Sequence, residues 1–278
     1  MKKAKRILLT LLCAVLTASL LAGCGAGQSK KVKSPADFEG ASIALQTDTT
    51  ASDSIDEMIA NGLKPKNVYR YEKVTACFDD LLLGRADAVY VDSVVSAYYT
   101  MGNDQYDRIW MNDEPEPMGI CLRKESAGLA AAVEAAVDTL YYNGTMKAIA
   151  TKHFGEDLSA NLREVTEVPV IPPISDADLV AAGLLTVGAE VGYPPMEYTT
   201  EDGLTYVGFD IDVGKAIADL LGLRHTVVNT SWDGIFAGLE KKQYDCIISA
   251  VSITPARQEK YILTEPYVAN ALCIVVKK

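Results

Sequence analysis

Two oppositely charged residues stand where a strand gives way to a loop. Asp92 closes the apolar run 86–91, and Arg257 follows the turn Ala250-Val251-Ser252 that leaves the run 244–249. An acid is the natural partner of an ammonium group. A guanidinium can grip a carboxylate through two parallel N–H donors. Backbone N–H groups at a helix start add to an anion site, and Thr49-Thr50 precedes a helix-like run. Taken singly, Asp92 reads equally well as a helix N-cap and Arg257 as a solvated helix arginine. The remaining candidates offer less. After Cys24 the chain carries Cys77, Cys121, Cys246 and Cys273, with His153 and His225. Their spacing fits no zinc motif, so small buried thiols and surface or packing imidazoles are expected. Neither a P-loop nor GxGxxG occurs, and no metal or cofactor is called for.

The elements that would position these residues repeat one rhythm. Strand 41–46, helix 53–60, strand 68–71, helix 76–83 and strand 86–92 form a first unit. Strand 184–188, helix 210–221 ended by Gly222, strand 225–228, helix 232–241 and strand 244–249 form a second. Apolar strands alternating with helices predict parallel sheets covered by helices. Two such units predict two similar α/β lobes with a cleft between them. Ligands in such sheets bind at the carboxyl ends of strands and the amino ends of helices. Between the units, 119–124 reads as a strand, 129–142 and 145–153 as helices, and 164–176, with three prolines, as a linker.

The first residues place the chain outside the membrane. Lys2, Lys3, Lys5 and Arg6 precede an apolar run, 7–21, and then Leu21-Ala22-Gly23-Cys24. This is the order of an export signal, and the run is short for a membrane span. Residues 25–33 read as a polar tether. Removing 1–23 takes four positive charges and no acid from a net charge of −11, leaving −15. A chain so acidic is a poor partner for nucleic acid.

Longer strings make the chain recognisable: VGAEVGYPPMEY (187–198), VGFDIDVGKAIADLLG (207–222), SWDGIFAGLEKKQYDCIISAVSITPARQEK (231–260) and EPYVANALCIVVKK (265–278). With them go KSPADFEGASIALQTDTTASD (33–53), LLLGRADAVYVDS (81–93) and YYNGTMKAIATKHFG (141–155). The chain resembles the type II periplasmic binding proteins, in the amino-acid-binding family (extracellular solute-binding proteins, family 3) of ABC importers. The LAGC string resembles a lipobox, which would make Cys24 the lipidated first residue. The resemblance implies an α/β fold of two Rossmann-like lobes with mainly parallel sheets joined by a hinge. The order of segments, however, resembles a circular permutant, with the family's second lobe first; a fusion of fragments is the alternative. The expected layout is 1–23 signal peptide, 24–33 tether, 34–122 with 274–278 second lobe, 123–155 helices returning to the first lobe, 156–183 linker and 184–273 first lobe.

Functionally, the resemblance implies a monomeric, non-enzymatic lipoprotein on the outer face of the cytoplasmic membrane. It would pass a polar amino acid to ABC permease subunits. Arg257 would hold the ligand's carboxylate, assisted by Ser249, Ala250 and Ser252 and, from the other lobe, by Thr49 and Thr50. Asp92 would hold its ammonium group. Tyr193 and Trp232 would pack on it, and Glu190, Gln46 and Val91 would line the side-chain pocket. Three positions depart from the family pattern: Met196 replaces a usual Phe, Asp48 a usual Gly, and Ala250 lacks a hydroxyl. The same fold hosts enzymes such as cyclohexadienyl dehydratase, for which Glu190 is the available acid or base, and sensory ectodomains. In the family, the strands corresponding to 271–277 and 119–124 run side by side where the lobes join. Cys273 and Cys121 would then either form a disulfide there or remain two buried thiols.

Overall fold

The structure is a computed structural model that describes residues 30–278; the signal segment and Cys24 lie outside the described residues. Val32–Lys278 form one body. Its first part runs β1 (Ser42–Gln46), α1 (Thr50–Ala60), β2 (Asn67–Tyr71), α2 (Val74–Leu82), β3 (Ala88–Asp92), α3 (Ser93–Thr100) and β4 (Tyr106–Met111). Then follow β5 (Cys121–Arg123), α4 (Ala127–Tyr142), α5 (Thr145–Phe154) and β6 (Leu184–Ala189). A small hairpin, β7 (Tyr198–Thr199) and β8 (Tyr206–Val207), leads to α6 (Phe209–Leu220), β9 (Arg224–Asn229) and α7 (Trp232–Glu240). The chain finishes with β10 (Cys246–Ile247), α8 (Pro255–Lys260), β11 (Tyr261–Leu263) and β12 (Leu272–Lys277).

Two five-stranded sheets result, ordered β2-β1-β3-β12-β4 and β11-β5-β10-β6-β9. In the first, β1 lies parallel to β2 and β3, while β12 runs antiparallel between β3 and β4. In the second, β6 lies parallel to β9 and β10, while β5 is antiparallel to β10 and β11. Each sheet therefore has the three-stranded parallel part that the strand–helix rhythm predicts. It is completed by antiparallel strands, and the sheets are mixed. An antiparallel strand enters where the chain arrives from the other lobe and needs no helical crossover.

The buried strands explain the apolar runs. β1 and β3 are buried throughout. Ile43, Leu45, Ala88 and Tyr90 pack with Phe38 and Ile55 on one side of the first sheet, while Ala44, Val89 and Val91 join the larger core on the other. Val187, Cys246 and Ile248 share that core with α4 and α6 through Val133, Val137, Val213 and Ile217. Cys121, Ile247, Tyr244 and Ile235 form a third cluster. Gly208 fixes the start of α6: its φ is +137°, and a Cβ there would lie 2.1 Å from the Met196 carbonyl oxygen. No other residue fits so close an approach. Residues 156–183 hold only a short 3-10 turn (Asp176–Asp178). They are nevertheless tied down, for Arg163 reaches Asp138 at 2.7 Å and donates to the Pro266 carbonyl at 2.8 Å.

The joint between the sheets differs from expectation. Segments 112–118 and 268–272 cross side by side: Asn112 N–H donates to Leu272 O (2.8 Å), Glu116 N–H to Asn270 O (2.7 Å) and Met118 N–H to Val268 O (3.2 Å). β5 belongs to the second sheet and β12 to the first, so these two strands are not neighbours. All of β5 thus stands in the second sheet and all of β12 in the first. Cys121 pairs in register with Ile247, Cys273 with Val91, and both thiols are free and buried. The proposed disulfide is absent because its two cysteines sit in different sheets.

Candidate ligand-binding cleft

β1 and β3 end at one edge of the first sheet, and β6 and β10 end facing them. Asp92 occupies the N-cap position of α3 but makes no capping bond with its side chain. Its carboxylate instead accepts from Asn270 Nδ2 at 2.6 Å and from the Tyr193 hydroxyl, which comes from the other lobe. Burial, together with the nearby Glu116 charge, pushes the Asp92 carboxyl up to about 7. Asp92 is thus neither a solvated acid nor an ordinary cap.

Arg257 is equally unlike a solvated helix arginine. Thr254 caps α8 by accepting from Arg257 N–H at 3.3 Å, and Pro255 opens the helix. The guanidinium lies 5.4 Å from the Trp232 ring centroid and 5.3 Å from that of Phe236, and donates to the Ser252 carbonyl at 2.9 Å. Desolvation lowers its proton affinity, which nearby Glu116 opposes. An arginine stacked on aromatic faces keeps its remaining donors in a fixed plane.

Further contacts draw the lobes together. Trp232 Nε1 donates to the Asp48 carbonyl at 2.8 Å, and Gln46 Nε2 to Glu190 Oε2 at 2.7 Å. Lys73 Nζ lies 2.9 Å from Glu190 Oε1. Burial raises the Glu190 carboxyl above its usual range, while Lys73 and Gln46 oppose the rise. One cavity is lined by Gln46, Thr49, Thr50, Asp92, Glu190, Tyr193, Glu197, Trp232, Ser249, Ala250, Ser252 and Arg257.

Val91 stands apart from that group. It is buried in β3 and lines an adjoining void behind Asp92. Five residues without an expected role support the site. Glu116 Oε1 accepts from Thr50 Oγ1 at 2.8 Å and from Ser252 Oγ at 2.7 Å, so the two lobes' hydroxyls meet on one internal carboxylate. Asn270 holds Asp92, and Lys73 faces Glu190. Glu197 accepts from the Ser249 hydroxyl, and burial beside Asp210 pushes its carboxyl well above the usual range. Asp210 accepts from Ala250 N–H at 2.8 Å and from Tyr267 at 2.7 Å, which fixes the loop carrying Ser249 and Ala250. Ala250 itself holds φ +48°, a left-handed conformation. Met196 is fully buried in the larger core and does not line the cavity.

About a third of the chain is similar to known proteins. Residues 185–278 match the family described as bacterial extracellular solute-binding proteins, family 3. L-cystine-binding protein TcyJ of Escherichia coli (strain K12) is 35% identical over 96 residues, covering 34% of this chain and 36% of that protein. L-cystine-binding protein TcyA of Bacillus subtilis (strain 168) is 36% identical over 107 residues, covering 37% of this chain and 40% of that protein. Cyclohexadienyl dehydratase of Pseudomonas aeruginosa is 33% identical over 92 residues, 33% of this chain and 34% of the enzyme. Among solved structures, the arginine-bound form of domain 1 from TmArgBP is 34% identical, with 34% of this chain and 81% of that chain covered and a TM-score of 0.30. Residues 185–278 are thus family 3 solute-binding sequence. The matched part spans little more than a third of the length of these curated relatives.

Proposed function

We propose that this protein captures a free, polar amino acid in the cleft and delivers it to an ABC importer, tethered outside the membrane by a lipid on Cys24. One observation carries the reading. A half-buried guanidinium on one lobe and a buried carboxylate on the other face the same cavity. Opposite charges on opposite lobes suit a zwitterion, which bridges them and stabilises closure. Guanidinium donors not used on the Ser252 carbonyl would take the carboxylate, with backbone N–H groups at the start of α1. Asp92 would take the ammonium group. The relatives named for binding cystine support this class of ligand.

The test is a thermal-shift screen of the purified protein against the common L-amino acids, sugars and short peptides. An amino acid at a hundredfold its Kd should add about 2.7 kcal/mol. For a body of this size that is roughly 5–10 °C in Tm. A shift with a sugar or peptide and with no amino acid would refute the assignment.

A second reading rests on Glu190, a buried acid in the cavity wall with its carboxyl raised, and on the dehydratase relative. It requires the protein to convert prephenate or arogenate. The Lys73 contact favours the binding role, since a general acid or base paired with an internal ammonium is poorly placed for proton transfer.

The element order supports reading the chain as a circular permutant. Val32 packs in the same apolar cluster as Leu272, Ile274 and Val276. Residues close in space at two distant points of a chain can be joined without disturbing the fold.

A further inference from the structure

The end of the cavity beside Glu190 has an unusual charge balance. Glu190 is 2% exposed and would ordinarily demand a cation from any ligand reaching it. The protein supplies that cation itself. Lys73 stands 2.9 Å from Glu190 Oε1, and it also donates to the Val191 carbonyl at 3.3 Å. Its aliphatic stem passes over Gly192, where even a Cβ would lie 3.5 Å from it. The lysine comes from the loop before α2, on the lobe opposite Glu190.

Gln46 provides the second, independent observation. It is 4% exposed and lines the same cavity. Both of its amide hydrogens have acceptors: Nε2 donates to the Glu72 carbonyl at 2.8 Å and to Glu190 Oε2 at 2.7 Å. Two acceptors on one side fix the amide's orientation. Its carbonyl, Oε1, is then left buried with no hydrogen-bond partner. An orphaned buried acceptor is costly, and a ligand N–H or O–H would satisfy it.

We infer that Lys73 is a specificity residue: by neutralising Glu190 from across the cleft it selects an amino acid whose side chain is uncharged and donates a hydrogen bond to Gln46, and it turns away lysine- and arginine-like ligands. A cationic side chain would have to displace Lys73 from Glu190 or sit unpaired beside it. An anionic one would meet Glu190 and the Gln46 carbonyl, both electron-rich. Amide and hydroxyl side chains meet neither obstacle. Rejection of charged competitors by an internal charge is a common route to selectivity.

This inference rests on the amino-acid-binding reading, and the experiment separates the two. Calorimetric titrations compare wild type, Lys73→Met and Lys73→Arg against glutamine, asparagine, serine, threonine, lysine, ornithine, arginine and glutamate. Wild type should prefer one of the neutral polar four over every cationic amino acid by at least tenfold. Lys73→Met should improve cationic binding at least tenfold and reverse that order. Lys73→Arg should keep the wild-type order, which guards against a general effect of mutation. Unchanged rank in Lys73→Met, or a wild type that binds a cationic amino acid most tightly, overturns the role of Lys73 and leaves the function standing. A wild type that binds sugars or peptides and none of the amino acids overturns both.

Discussion

The indole N–H of Trp232, at the start of α7, donates a 2.8 Å hydrogen bond to the backbone carbonyl of Asp48, on the opposite lobe. Asp48 holds φ +56° in doing so. The family pattern would place glycine there, but aspartate is one of the few other residues that tolerate this conformation. The contact therefore survives the departure, and Trp232 both latches the cleft and flanks Arg257. Trp232→Phe keeps a ring beside the guanidinium and removes the latch. One net hydrogen bond is worth about 1 kcal/mol, so the ligand's Kd should rise roughly fivefold. Calorimetry measures it. A change in the order of preferred amino acids, instead of a uniform loss, would place Trp232 on the ligand's side chain.

Binding should depend on pH through Asp92. Its carboxyl is raised to about 7 in the folded protein, against 3.8 ordinarily. A raised acid is protonated in the fold before it is in the unfolded chain. Its burial therefore costs stability above pH 7, and that cost disappears as pH falls from 7 towards 4. Ligand binding runs the other way, because an ammonium group needs the ionised form. Affinity should weaken by up to tenfold per pH unit below 7, with proton release on binding near neutrality. Titrations in buffers of different ionisation enthalpy detect the release, and Asp92→Asn should abolish it.

Ala250 stores strain. A left-handed alanine costs about 1–2 kcal/mol, part of which glycine would return as chain entropy. Ala250→Gly should raise the unfolding free energy by roughly 0.5–1 kcal/mol, seen as a higher denaturant midpoint at unchanged slope. The Ala250 N–H bond to Asp210 needs no side chain, so binding should stay within threefold of wild type.

The permutant reading has its own test. Joining Lys278 to Lys33 and opening the chain within 156–183 restores the family's order. That rearranged protein should fold cooperatively and bind the same amino acid within about tenfold. Failure to bind, with both sheets intact by spectroscopy, would favour a fusion of unrelated fragments.

Much of this was legible because buried parallel strands write themselves as apolar runs. β1, β3 and β6 fall where those runs lie, and the residues at their ends converge on one cavity. β4 is different. It is an edge strand with two exposed residues following its first, and carries no such run. Glu116 sits between two prolines, in a stretch without periodicity. Its place opposite Thr50 and Ser252 depends on how 112–118 pairs with 268–272, which is a long-range fact. Lys73 looks like any solvated lysine until the opposite lobe brings Glu190 to it. The expectation that the strands holding Cys121 and Cys273 run side by side failed for the same reason: strand content was readable, but the sheet each strand joins was not.

The most direct measurement is a titration of wild type, Arg257→Ala and Asp92→Asn with the amino acid found in the screen, its α-carboxamide and its N-acetyl derivative. Truncating one partner of a buried charged contact costs roughly 2–5 kcal/mol. Wild type should bind the free amino acid and lose at least thirtyfold in affinity for either derivative, and each variant should lose as much for the free ligand. Wild-type affinity in Arg257→Ala, or equal binding of the free and blocked ligands, would contradict a zwitterion held between Arg257 and Asp92.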